Sequence, residues 1–254
     1  MIKFSIFLIA FLINFNIAFG RNVGDTEITT EDGIEVFQEE KYYLLKKNVE
    51  ILSDEFKLTG QTVKIYFDKD LYDIKELLAL DNVNFISKEF NLKGEGDKVT
   101  FNIEQQKIFI SGLKSKLFLE DTQMLSDGEI TVDNSKGSFL INGPNSKLIS
   151  ENINIIGSKI SGTFDLVNGK RDIGSLLVED KEQLYIKTNN VMMFSKKATY
   201  NKNKSIFELF DNVKINRGNE VITGDYGILD TKNNSYKVSS NTNKVKAIIT
   251  NSNE

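Results

Sequence analysis

One pattern recurs three times along the chain. Residues 43–51 (YLLKKNVEI), 77–85 (LLALDNVNF) and 207–215 (FELFDNVKI) each carry alternating apolar residues through an Asn-Val pair, and a glycine follows twelve residues beyond each asparagine, at Gly60, Gly94 and Gly224. Alternation with period two marks a β-strand with one apolar face. The apolar positions keep the same parity on both sides of the asparagine, so the strand is expected to pass through it without interruption. A polar turn comes next, 53–55 (SDE) in the first copy and 217–219 (RGN) in the third, and then a second strand that bends at its glycine. Each copy thus predicts a hairpin, and the apolar face that a row of hairpins presents must be covered by a second sheet. The repeat also decides an ambiguous stretch. Residues 70–81 (DLYDIKELLALD) have good helical propensity, but Ile74–Leu80 follow the parity of the other copies and are predicted to be strand. Weaker copies are expected at 117–128 and 153–162.

Elsewhere the chain continues in short alternating runs, such as 99–103, 107–110, 139–141 and 153–155, separated by Asn-Gly, Asp-Gly and Asn-Asn turn signals. There is one proline, Pro144, and the glycines are scattered, so no linker divides the chain. These features predict an all-β antiparallel protein in a single domain over residues 21–254. Residues 1–20 (MIKFSIFLIAFLINFNIAFG) have the form of a secretory signal peptide, with one basic residue, an apolar run and a small-x-small end that predicts cleavage after Gly20. With no cysteine and no histidine, disulfides, thiolate nucleophiles, Cys/His metal sites and imidazole bases are all excluded. The carboxylates show no paired spacing that demands acid-base work, so neither catalysis nor a cofactor or metal is expected. A net charge of −4 offers no basic field for nucleic acid. By parity, the inward-facing set also includes Tyr43, Leu45, Val63, Leu77, Phe207 and Leu209.

Three stretches resemble the LptA/OstA family, periplasmic proteins that bridge the inner and outer membranes in lipopolysaccharide transport. They are 212–230 (NVKINRGNEVITGDYGILD), 96–101 (GDKVTF), and 31–35 (EDGIE) with Tyr42, Tyr43, Asn48 and Val49. The resemblance covers roughly residues 28–112 and 190–240. It departs from the family where Lys47, Asp81 and Asp211 precede the asparagine in place of glycine, and where Gln61 and Glu95 follow Gly60 and Gly94 in place of aspartate. It implies a twisted antiparallel β-jellyroll of two facing sheets, open along one edge, with an apolar interior that carries the acyl chains of lipid A. The residues implied to line that path are Val49, Ile51 and Leu58, with Ile65 and Phe67 on the next strand. Val83 and Phe85 follow, then Val99, Phe101 and Ile103, and finally Val213, Ile215, Ile222 and Leu229. Lysines 41, 46, 47, 196, 197, 202 and 204 are read either as contacts to lipid phosphates or as a charged face that resists aggregation. The implied partners are lipopolysaccharide, the inner- and outer-membrane transport proteins and further copies of the chain joined head to tail. The alternatives are an inner-membrane-anchored LptC-like partner that keeps its leader, and a structural β-solenoid of the cell surface.

Overall fold

The computed structural model describes residues 22–69, 73–167, 170–241 and 244–250, which form strands and turns with no helix among them. The leader expected at 1–20 and its cleavage site lie outside these residues. Two short strands, β1 (Glu27–Thr29) and β2 (Ile34–Phe37), precede four long ones, β3 (Tyr42–Leu52), β4 (Phe56–Phe67), β5 (Ile74–Ser87) and β6 (Leu92–Asn102). Shorter strands follow: β7 (Lys107–Ser111), β8 (Ser115–Leu119), β9 (Thr122–Ser126), β10 (Glu129–Asp133), β11 (Ser138–Asn142), β12 (Lys147–Ser150), β13 (Ile153–Ile156) and β14 (Lys159–Val167). Long strands return as β15 (Lys170–Lys187), β16 (Met192–Asn201), β17 (Ile206–Arg217) and β18 (Glu220–Asp230), and the chain closes with β19 (Ser235–Ser239) and β20 (Lys246–Ile249). Ile74–Leu80 are therefore strand, as parity required.

The pairing resolves into two layers because the long strands serve both. From β6 the antiparallel ladder divides. Lys98–Asn102 pair with β7, and that path runs through β10, β11 and β14 into the first half of β15. Leu92–Glu95 pair with β8, and the other path runs through β9, β12 and β13 into the last residues of β15. The first sheet ends in β2 and β19, and the second in β1 and β20. Phe101 in the first sheet meets Phe56 and Phe85 of the second edge-on, at centroid distances of 5.4 and 4.8 Å. Aromatic contact across the gap shows that the apolar faces of the two sheets oppose each other.

The Asn-Val repeat is the device that lets one strand enter both sheets. Lys47-Asn48, Asp81-Asn82 and Asp211-Asn212 all lie in the left-handed region, with φ between 48° and 64°. At each site two residues oppose one on the partner strand: Lys46 pairs Thr62 while Val49 pairs Gly60, Leu80 pairs Lys98 while Val83 pairs Gly96, and Phe210 pairs Tyr226 while Val213 pairs Gly224. Such a bulge bends the strand, and here both bulged side chains point outward. Leu45 and Val49 consequently stay buried with Lys47 and Asn48 exposed between them. Parity is kept on the bulged strand, as expected, but it slips on the partner: Leu58 and Gly60 are buried before Gln61, and Val63, Ile65 and Phe67 after it.

The structure corrects two details of the repeat. In the second copy the glycine that pairs with the valine after the bulge is Gly96, because the turn after β5 is longer, and Gly94 pairs with Phe85 deeper in the hairpin. The weaker copies at 117–128 and 153–162 lack the paired left-handed bulge. There the chain breaks into short strands and crosses between layers through turns, including Gly112–Lys114, Asp127-Gly128, Gly143–Ser146 and Gly157-Ser158. Backbone bonds such as Gly112 N–H to the Gly128 carbonyl (3.1 Å) and Gly143 N–H to the Ser158 carbonyl (3.0 Å) stitch these turns into one corner line. Pro144 sits in this line, where it removes no ladder bond.

Candidate functional site

Opposite the corner the two sheets end in rows of turns, and the apolar interior is reachable between the rows. A cavity of about 540 Å³ lies there. Its floor takes Ile51, Phe56 and Leu92 from the second sheet and Ile65, Leu77 and Phe101 from the first, while Ser53, Glu55, Phe90, Ile103 and Gln106 from the turns form its rim. A second cavity of about 470 Å³ lies along the later strands. Ile153, Ile173, Val191, Phe207 and Leu229 are on its floor, and its rim is polar, with Asn152, Asn189, Asn234 and Lys202. A floor built from both sheets follows from the fold, since each long strand contributes inward residues to one layer and then the other.

Between the cavities the gap is bridged by side chains. Arg171, at the start of β15, donates from its guanidinium to Glu120 Oε1 at 3.2 Å and to Asn134 Oδ1 at 2.7 Å, and its backbone N–H reaches Glu120 Oε2 at 2.9 Å. Glu120 lies in the β8–β9 turn and Asn134 in the β10–β11 turn, so the contact joins the second sheet to the first. Next to Asn134, Asp133 is held below the ordinary aspartate range, chiefly by the hydrogen bond from the Ser135 hydroxyl (2.6 Å).

The residues implied by the resemblance separate into groups. Ile51, Ile65 and Phe101 form part of the first floor, and Leu229 part of the second. Val49, Leu58, Phe67, Val83, Phe85, Val99, Val213 and Ile215 are buried, each no more than 4% exposed, and line neither cavity. Ile222 is half-buried in β18 beside Ile215 and Ala247. Ile103 is not an inward strand residue. Strand β6 ends at Asn102, whose side chain accepts the Gln105 N–H (2.8 Å) and begins the turn, leaving Ile103 49% exposed on the rim. The inward set omits Phe56, the first residue of β4, which shares the parity of Leu58 and faces inward with it. It also omits Leu92, which lies in the second copy two residues before Gly94, and Leu119 and Val132, which belong to ladders beyond the repeat.

Most of the basic clusters turn to neighbouring carboxylates. Lys41 pairs with Asp68 (3.3 Å), Lys46 with Glu35 (2.7 Å) and Lys47 with Asp32 (3.2 Å). The bond to Glu35 raises the pKa of Lys46 above its ordinary value. Pairs this exposed contribute little to stability. Lys202, paired with Asp172 (2.8 Å), borders the second cavity, whereas Lys196, Lys197 and Lys204 lie outside both.

Residues 174–253, from within β15 to beyond β20, match the family model described as OstA-like protein. The match overlaps the second block of the resemblance, at 190–240, and does not reach the first, at 28–112. No curated protein matches the sequence. Among solved structures, LptH of Pseudomonas aeruginosa, described as the LptA homologous periplasmic component of the conserved lipopolysaccharide transport device, is similar over 50% of this chain and 95% of its own. Its identity is 14% and the TM-score 0.42, a likeness that carries no argument by itself.

Proposed function

We propose that this OstA-like chain is a periplasmic carrier that holds the acyl chains of lipopolysaccharide in the groove between its sheets. It passes the lipid from inner- to outer-membrane transport proteins, as one unit of a head-to-tail array. The observation that carries this reading is the first cavity, whose apolar floor is drawn from both sheets and is open along the edge where they part. Each methylene that moves from water onto such a floor contributes about 0.8 kcal/mol, so a few acyl chains supply ample affinity without a polar recognition site. The carrier performs no covalent chemistry, and none of the roles assigned to its residues requires a cofactor.

Phe101 and Thr100 provide the test, since adjacent strand residues face opposite sides of a sheet and Phe101 is on the cavity floor. A photo-crosslinking amino acid at Phe101 is expected to capture lipopolysaccharide in cells, whereas the same group at Thr100 captures none. Equal capture at the two positions, or capture at Thr100 alone, rejects an interior path.

A further inference from the structure

We infer that Arg171, anchored by Glu120 and Asn134, is a gate across the groove, which confines acyl chains to the first cavity until the contact opens. The inference rests on the carrier reading and adds a barrier within the path. Ion pairs such as Lys46–Glu35 and Lys159–Glu179 join neighbouring strands of one sheet. The Arg171 contact instead joins the two sheets, through partners 51 and 37 residues away in the chain. It is also enclosed: the Arg171 and Glu120 side chains are 20% and 14% exposed, against 43% and 51% for Lys46 and Glu35. Lys170 and Asp121 add a longer, exposed pair at 3.9 Å over the same gap.

Position makes this contact a barrier. Arg171 and Asn134 border the first cavity, while Asp172 and Ile173, the next residues of β15, border the second. An acyl chain moving from one floor to the other must cross a guanidinium and a carboxylate, and displacing either leaves its partner an uncompensated charge in an apolar gap. The anchors are in turn tied to the rim. Glu120 N–H donates to the Asn91 carbonyl (3.1 Å) and Asn134 N–H to the Gln106 carbonyl (2.9 Å), in the turns that flank β6. Those turns bound the mouth of the first cavity, so spreading them when lipid enters draws the two anchors of Arg171 apart. Loading and opening are coupled in this way through backbone hydrogen bonds.

The test uses the full chain and palmitate bearing a terminal diazirine, with adducts located by peptide mass spectrometry after irradiation. In the unaltered protein, saturable labelling is expected on the first-cavity strands around Phe56 and Phe101, with little around Ile173, Val191 and Leu229. In Arg171→Ala, labelling of the second group rises several-fold. Glu120→Gln preserves the shape of the anchor while removing its charge, and it gives the same redistribution should Arg171→Ala fail to fold. Labelling of both cavities in the unaltered protein, or an unchanged pattern in the folded variants, overturns the gate and leaves the carrier reading standing. Absence of saturable labelling in every protein overturns both.

Discussion

At the residue scale, the three glycines that pair with the valine after a bulge, Gly60, Gly96 and Gly224, differ in what surrounds them. A Cβ on Gly224 would lie 2.6 Å from Val238 Cγ1 and 2.7 Å from the Ser239 carbonyl oxygen, and one on Gly96 would lie 2.6 Å from Ile110 Cγ2. For Gly60 the nearest atom is the Leu80 carbonyl oxygen at 3.4 Å. The difference arises from the neighbouring strand. Gly224 and Gly96 are followed in the ladder by the short strands β19 and β7, which run close past them, whereas Gly60 faces β5, whose own bulge at Asp81-Asn82 moves the backbone away. The residue after each glycine fits the same account. Asp97 accepts the Leu113 N–H and Asp225 the Asn241 N–H, both at 3.2 Å, where the chain turns toward the next strand. Gln61 instead donates to Asn48 Oδ1 across the bulge, at 2.9 Å. Gly224→Ala is therefore expected to destabilise the protein by about 1–3 kcal/mol, the usual cost of overpacking, while Gly60→Ala changes urea stability little. Equal losses for the two would show that the neighbouring strand does not set the requirement for glycine.

At the element scale, stability depends on a backbone shape that the present residues tolerate at some cost. A left-handed residue other than glycine costs roughly 1–2 kcal/mol, and asparagine bears it better than most. Asp211 has φ 64° and is exposed, so Asp211→Gly is expected to raise stability by about 1 kcal/mol. A β-branched group at the next position should lower it: Asn212→Val, at φ 54°, is predicted to unfold at lower denaturant than the parent. A rise for Asn212→Val would mean that the bulge does not persist in solution. These elements also mark how far the sequence could be read. Strands β3, β5 and β17 and their inward faces were legible because alternation and the Asn-Val repeat are local features, whereas the bulge at that pair was not, since the repeat implied a strand running straight through it. The inward position of Phe56 was not legible either, since it is the first residue of β4, against the polar turn at 53–55, where alternation has only begun. Nor was the division of the ladder at β6, which depends on which half of a strand each later strand finds. Nothing local marks Arg171 in the sequence, because the partners that give it a place are 51 and 37 residues away.

At the scale of the whole molecule, the two sheets end together at each side of the ladder and leave paired edges. β1 and β2 cover different halves of β3, and β20 and β19 cover different halves of β18. Unpaired N–H and C=O groups on such edges invite another strand. Apolar side chains are exposed at both ends, with Ile34 (51%) and Val36 (46%) on β2 and Ile248 (48%) and Ile249 (71%) on β20. Addition of one end to the other is heterologous, need not close into a ring, and would align the open grooves of successive copies. Lys244 and Lys246 oppose this, since edge lysines blunt strand pairing. The balance can be read by removing β20, whose four residues are all exposed and which pairs with β18 only at Glu220–Thr223. Deleting residues 244–254 is expected to abolish the concentration-dependent growth in light scattering and to leave the β signal in circular dichroism largely unchanged, because no buried side chain is lost with β20. Undiminished growth in that truncation would place the joint elsewhere than on β20. If the full chain shows no growth at any concentration, the lysines prevail and the proposed carrier works as single copies.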